Sequence, residues 1–409
     1  MKHLSISWGK ENMRIETLAI RDFKALKNVF FSPGLVNIFI GANGSGKSTL
    51  LEAIGVLSAA MTDRVDGNSL SRKGVRLSAP TLYKSAFKDS KRSQTISMDL
   101  GWTTEDAPDS FQYSVHLNTP SDDNAWRYHS ETLLRGGHKV WGRSGASKEN
   151  YDSYLGMLLT DKDQSLERLR PALEPFRNYA IYQPFTAALR GVVPDPQQAV
   201  PIGLNGGRLA EALEEIMHDH DGDHALGDSL CIDLDEVLDL IDWADAINVG
   251  SPTKERINSA VPVSRRVLEF QDRFLKDTVR FTAYDASEGA LYVLFMYCLA
   301  LHPKAPSIFA VDNFDQAMHP RLARSVTREI CNLMIRQQKT VFLTTHNPLA
   351  LDGLDLSNDN IRLFALDRSP RTGHVSINRI MATGELIKAE QSLSQLWTSG
   401  RIGGTPDLL

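Results

Sequence analysis

The segment Ile38-Phe39-Ile40-Gly41-Ala42-Asn43-Gly44-Ser45-Gly46-Lys47-Ser48-Thr49-Leu50 constrains this chain more than any other. It reads as a buried strand, a glycine-rich turn and an apolar helix opening at Lys47-Ser48. Gly41 to Ser48 fit the G-x-x-x-x-G-K-[ST] phosphate loop with no mismatch. Glycines at 41, 44 and 46 permit positive φ and close backbone approach, so successive N–H groups can point into one concavity. The helix that follows, Ser48 to about Ala60, aims the positive end of its dipole at the anion. Lys47 is the side chain that reaches β- and γ-phosphates, and Ser48 supplies a hydroxyl to Mg²⁺. Asn43, Gly44, Gly46, Lys47, Ser48 and Thr49 are therefore the candidate nucleotide-binding residues. ATP and Mg²⁺ are the expected cofactors.

With 409 residues, the chain has room for two domains or for one large domain with an insertion. A net charge of −5 excludes a protein that coats nucleic acid by bulk charge, though it leaves room for a local basic face. Cys231, Cys298 and Cys331 form no C-x-x-C pair, so neither a zinc site nor a disulfide framework is expected, which suits a reducing compartment. The longest apolar run, Ala290 to Leu301, is shorter than the roughly 18 residues of a membrane span. Met1 to Asn12 is polar and mixed, without the pattern of a signal peptide, and Met13 is an alternative start if Gly9-Lys10-Glu11-Asn12 overlies a purine-rich ribosome-binding sequence. The expectation is a soluble, cytoplasmic protein with no membrane partner.

From Arg14 the chain reads as a strand, a turn at Arg21 to Leu26, a second strand at Val29-Phe30-Phe31, and then Pro33-Gly34 before the phosphate loop. This entry, Asp22-Phe23-Lys24 followed by Gly41-Ala42-Asn43-Gly44, resembles the start of the RecF/SMC-type ATPases of the ABC class. The resemblance implies an α/β fold: an ABC-type P-loop nucleotide-binding domain, a mixed sheet flanked by helices, with an antiparallel β and helical insertion. Residues 13–60 would form the N-terminal part of the ATPase domain, 61–278 the insertion and 279–409 the C-terminal part.

Within the insertion, Met61 to Arg92 carries Arg64, Arg72, Lys73, Arg76, Lys84, Lys88, Lys91 and Arg92. Two readings stand, a face for a phosphate backbone or a solvated surface, and charge counting favours the second. Four segments then alternate as strands: Thr95–Trp102, Phe111–Leu117, Trp126–Leu134 and His138–Trp141. Gln164–Phe176, Arg208–Met217, Leu234–Ala246 and Ser264–Leu275 read as helices, with a strand at Asn178–Tyr182. His218-Asp219-His220-Asp221-Gly222-Asp223-His224 misplaces its glycine for an EF-hand and reads as a polar loop. No heptad arm or internal repeat is present.

Three further pieces follow in the order an ABC-type ATPase requires. Ser287-Glu288-Gly289 opens an apolar helix and resembles the shortened S-x-G signature motif, which in this class faces the γ-phosphate bound to the other subunit. A Ser N-cap is the competing reading. Ser307 to Asp312 is an apolar strand ending in a carboxylate, the Walker B pattern, so Asp312 is the expected Mg²⁺ residue. Asp312 to Pro320 aligns without gaps to the family's D-E-P-E-x-x-L-H-P. The family's water-orienting Glu is here Asn313. An amide cannot accept the water's proton, although it can position water. Asp315 is the candidate substitute base, at a position that is structural in the family. His346, after the strand Thr340 to Thr345, resembles the switch histidine. Gln183 is the candidate Q-loop residue that couples the insertion to Mg²⁺ and water.

A helix near Glu385 to Trp397 and the close Gly400-Arg401-Ile402-Gly403-Gly404 resemble the endings of standalone ATPases in bacterial phage-defence systems. The resemblance implies a homodimer closing on two ATP molecules, acting on a separate effector such as a nuclease or toxin, with DNA as a further candidate partner. The effector is expected in another polypeptide, because no Toprim-like acidic set follows. Asn313 points to a slow switch or to a scaffold that binds ATP without hydrolysing it; a DNA-repair ATPase is the alternative. The short signature and long insertion count against a transporter subunit.

Overall fold

The computed structural model describes residues 13–89, 91–104, 110–119, 125–144, 150–160, 170–197, 199–219, 237–253, 257, 260–261, 264–276, 278–382 and 391–405. Met1–Asn12, Cys231, residues 220–224 and the expected helical stretches 164–169, 234–236 and 385–390 lie outside these. The chain divides into two compact units, one built from residues up to Leu35, Asn43–Tyr179 and Leu366–Arg379, the other from Val36–Ala42, Ala180–Ala365 and Ile380 onward.

The chain opens with the hairpin β1 (Met13–Phe23) and β2 (Leu26–Phe31), then β3 (Val36–Ile40) and helix α1 (Lys47–Ala60). Helix α2 (Gly67–Arg72) precedes β4 (Ile96–Thr104), β5 (Phe111–Asn118), β6 (Arg127–Arg135) and β7 (His138–Ser144); α3 (Tyr154–Thr160) and α4 (Arg170–Arg177) follow. Leaving β3 aside, these make up most of the first unit. Its sheet is antiparallel in the order β2-β1-β4-β5-β6-β7. The four expected meander strands are β4 to β7. In β4 every second residue, Ile96, Met98, Leu100, Trp102 and Thr104, is buried, which is the period-2 pattern of a sheet with one covered face.

Helix α1 is buried on nearly all sides, so it depends on neighbours for its terminal carbonyls. The Tyr113 and Tyr128 hydroxyl oxygens lie 3.2 and 3.1 Å from the Ala60 carbonyl oxygen, and Tyr179 donates to the Leu51 carbonyl. Glu131, fully buried, accepts from Tyr113, Ser153 and the Tyr154 N–H and pairs with Arg143 at 3.1 Å. A buried carboxylate with this many donors is compensated for its lost hydration.

Much of the basic stretch after α1 is engaged internally. Arg64 pairs with Asp152 and Arg76 with Glu52; Lys73 donates to the Arg177 carbonyl, Lys84 to Gln94 and Asn118, and Arg92 to Thr81. Glu52, on α1 and 2 % exposed, also takes Lys24 at 2.6 Å, and that ammonium sits 4.7 Å from the Tyr83 ring. Burial, then the neighbouring Arg177, pushes Lys73 down to about 7.

The second unit adds β8 (Ile181–Tyr182), α5 (Thr186–Leu189), α6 (Leu209–Asp219), β9 (Ala244–Gly250), β10 (Val267–Asp272) and β11 (Arg280–Thr282). Then come α7 (Glu288–Leu301), β12 (Ile308–Val311), α8 (Pro320–Arg336), β13 (Thr340–Thr344) and β14 (Ile361–Arg368). β14 runs on into a hairpin with β15 (Val375–Ile380), which apart from Ile380 belongs to the first unit, and α9 (Leu393–Thr398) comes last. The main sheet of this unit has the order β14-β3-β13-β12-β8 and its pairs are parallel. β3, β12 and β13 are buried at every residue, as parallel strands covered on both faces are. α7 packs into the same core. It has 14 residues, and no described helix is long and apolar enough to cross a membrane.

Two helical expectations fail here. The stretch 264–275 holds no helix; its middle is the strand β10 (Val267–Asp272), the centre of the sheet β11-β10-β9. Val267 to Phe270 are all buried, so covering of both faces erased the alternation that marks a strand. Residues 237–240 are helical, but the chain then becomes β9 from Ala244. Among the described residues Cys298 and Cys331 are free thiols, pushed up to about 12 by burial.

Candidate functional site

In the first unit, the turn entering α1 is shaped by glycine. Gly44 holds φ 78° and Gly46 φ 105°, both left-handed. Gly46 is the N-cap of α1 and makes no side-chain cap bond. A Cβ at Gly46 would also lie 3.0 Å from Val375 Cγ2, so strain and space both require glycine there. A helix start capped by no side chain leaves its N–H groups and dipole to an anion, which is the chemistry of phosphate binding. Lys47 and Ser48 occupy the first turn, Lys47 being 5 % exposed.

In the second unit, the parallel register brings four carboxyl-terminal strand ends side by side. Phe39 pairs with Thr344, Leu343 with Val311, and Val311 with Tyr182. Gly41, His346, Asp312-Asn313 and Gln183 therefore leave the sheet along one edge, the edge where open α/β sheets hold ligands. His346 is exposed. Gln183 follows Tyr182, whose carbonyl accepts from the Asp312 N–H at 2.9 Å; its own carbonyl accepts from Asn205 Nδ2.

The turn after β12 is fastened by two threonines that the sequence reading did not single out. The Thr344 hydroxyl donates to Asp312 Oδ1 and accepts from the Asn313 N–H at 2.8 Å. The Thr345 hydroxyl donates to Asp315 Oδ2 at 2.7 Å. Asn313 sits at φ 56°, a left-handed conformation that Asn adopts more readily than Glu. Its Oδ1 is buried and has no hydrogen-bond partner among the described residues. Asp315 is 3 % exposed, and burial pushes its carboxyl up to about 6 against the lowering effect of Thr345. It ties the β12 turn to the end of β13. A polar pair at the end of a buried strand, Thr344-Thr345, was the available signal for this fastening.

Ser287 occupies the N-cap position of α7, exposed, and its hydroxyl makes no capping bond. A Cβ at Gly289 would lie 3.1 Å from Leu322 Cδ2. The donor set suits Mg²⁺ rather than a metal held by protein alone. Among the described residues no cluster of three or more His, Cys, Asp or Glu could hold a metal. Mg²⁺ needs only one or two carboxylates with a hydroxyl and substrate phosphates.

The family model described as "AAA domain, putative AbiEii toxin, Type IV TA system" matches residues 36–352. The DNA replication and repair protein RecF of Magnetococcus marinus is 33% identical over 112 residues, 27% of this chain and 26% of RecF. The chain thus matches about a quarter of the length of that curated relative. An SMC head domain bound to the C-winged helix domain of ScpA is 14% identical, with a TM-score of 0.53 over 90% of this chain and 98% of that one. The Smc head domain from Pyrococcus furiosus, bound to the C-terminal domain of ScpA, is 13% identical with a TM-score of 0.52 over 95% and 100%. At such identities the two head domains share a fold with this chain.

Proposed function

Because the chain belongs to the AAA-domain family described as putative AbiEii toxin, Type IV TA system, with the fold of the RecF/SMC-like ABC-class ATPases, we propose that it works as a nucleotide-gated dimeric switch. ATP closes two copies on each other; the closed state persists and controls a separate effector, a nuclease or toxin, in phage defence. Lys47, with Asn43, Gly44, Gly46 and Thr49, would bind the phosphates. Ser48, Asp312 and Gln183 are the residues that would serve Mg²⁺, which would supply charge neutralisation at the phosphates. Ser287 and Gly289 of one copy would complete the site of the other. His346 would contact the γ-phosphate.

The observation that carries the slow switch is Asn313. The position of the usual base holds an amide side chain, on a left-handed backbone whose N–H is bonded to Thr344. The next carboxylate, Asp315, is buried and occupied with Thr345, which supports a structural role for it. Loss of a general base typically forfeits about 10² to 10⁴ in rate, while nothing in the phosphate loop weakens binding.

Analytical ultracentrifugation with ATP, with ADP and without nucleotide tests the dimer. Wild type should dimerise with ATP and Mg²⁺, and Ser287→Arg, which puts a bulky cation on the composite face, should stay monomeric. Unchanged dimerisation in that variant would refute the composite site. Co-purification from the native operon would identify the effector.

A further inference from the structure

The closing motif Gly400-Arg401-Ile402-Gly403-Gly404 has no part in nucleotide chemistry as described above. Half of it is explained by the end of α9. Gly400, at φ 76°, donates its N–H to the Trp397 carbonyl, and Arg401 donates to Leu396, the paired bonds that close a helix on a left-handed glycine. Gly404 is not needed for that cap. It holds φ 68°, and a Cβ built on it would lie 3.2 Å from Gly41 Cα and 3.4 Å from Gly41 N. Gly41 is the first residue of the phosphate loop. The nearest neighbour is main chain, and Trp397 Nε1 lies at 3.4 Å beside it. The Gly404 carbonyl is itself held, accepting from Trp397 Nε1 at 3.2 Å in a buried setting.

The other end of α9 is fastened to a second candidate element. Asp352 accepts from the Ser394 N–H at 2.9 Å and from its hydroxyl at 2.7 Å. Asp352 lies in the 3-10 turn Pro348–Gly353, which begins two residues after His346 and is capped by Asn347. One short helix is thus bonded to the turn behind the candidate switch histidine, while the loop that follows it abuts the entry of the phosphate loop.

We infer that the contact of Gly404, held by Trp397, with the start of the phosphate loop is a positioning bracket for the nucleotide site, with Gly404 and Trp397 as the positioning residues that set the path of Gly41. The inference rests on reading Gly41 to Ser48 as the phosphate loop. Displacing Gly41 misaims the N–H groups that follow it, so the bracket acts on nucleotide affinity and leaves the chemistry of Asn313 alone.

Isothermal titration of the full chain with ATP and Mg²⁺ tests this, alongside thermal unfolding without nucleotide. Gly404→Ala should raise the Kd for ATP about tenfold, equivalent to about 1.4 kcal/mol, and should raise KM more than it lowers kcat. Gly400→Ala is the control: it carries the same left-handed penalty, but its Cβ would meet only Thr405 Oγ1 at 3.3 Å. It should lower stability comparably and leave the Kd within about twofold. Trp397→Phe, which removes the indole N–H together with part of the ring, should weaken ATP binding by about threefold and decides the matter if Gly404→Ala does not fold. Wild-type affinity in both Gly404→Ala and Trp397→Phe, or equal weakening by Gly400→Ala, overturns the bracket alone. Wild-type protein that binds ATP no better than Lys47→Ala overturns the phosphate-loop reading, and the bracket with it.

Discussion

The turn that enters α1 and the turn that follows β12 each carry a residue in the left-handed conformation, Gly46 at φ 105° and Asn313 at φ 56°. They use it differently. At Gly46 the conformation strips the helix start of any side-chain cap, so the work falls to backbone N–H groups and a dipole that no ordinary substitution removes. At Asn313 it sets the main chain, tied to Thr344, from which the side chain at issue projects, its Oδ1 buried with no partner among the described residues. On the function proposed above, the loop that would hold phosphate keeps its full pattern, whereas the turn that would activate water carries an amide in place of the acid. Binding and turnover should then be separable, and each of the following substitutions presses on one side of that separation.

Lys47→Ala should have the largest effect. Removing a charge-assisted contact of about 1.5 to 3 kcal/mol lowers ATP affinity by roughly 10- to 150-fold, enough to abolish binding at working concentrations; calorimetric titration reads it. Next is Asn313→Glu, which restores a carboxylate at the cost of about 1 kcal/mol or more of left-handed strain. Steady-state phosphate release should rise by about 10- to 100-fold, with the Kd for ATP unchanged. Asp315→Ala, in the same assay, should leave wild-type turnover low rather than collapse it.

Thr344→Val is a smaller perturbation. It strands the Asn313 N–H and removes a donor from Asp312, and should lower the unfolding free energy by about 1 to 3 kcal/mol in denaturant titration. The smallest effect is pH-linked. Asp315 rises from its ordinary 3.8 to about 6 in the fold, so the native state favours the protonated form. Its contribution is fully present below about pH 4 and is lost as pH rises through about 6. Asp315→Asn, neutral throughout and still able to accept from Thr345, should be more stable than wild type at pH 7.5 by about 1 to 2 kcal/mol and no more stable at pH 4. Equal gains at both pH values would show that the carboxyl titrates normally.

Much of this could be read from residue order alone. The phosphate loop is a local backbone device, so its glycines announce it. The meander shows chiefly in β4 and β5, where one face of the strand is covered and the other is not, whereas β7 has no buried residue. β10 was misread for the opposite reason: Val267 to Phe270 are buried on both faces and present no alternation. The fastening of the β12 turn by Thr344 and Thr345 depends on partners about 30 residues apart, and the approach of Gly404 to Gly41 spans nearly the whole chain. Such contacts have no local period to betray them. The candidate site was legible in its residues and hidden in what holds them.

Single-turnover hydrolysis with protein in excess over radiolabelled ATP, quenched over time with Mg²⁺ present, bears most directly on the separation of binding from turnover. Wild type should retain ATP uncleaved and bound long after Asn313→Glu has converted its bound nucleotide to ADP and phosphate. Rapid cleavage by wild type that disappears in Asp315→Ala would contradict the account and make Asp315 the base.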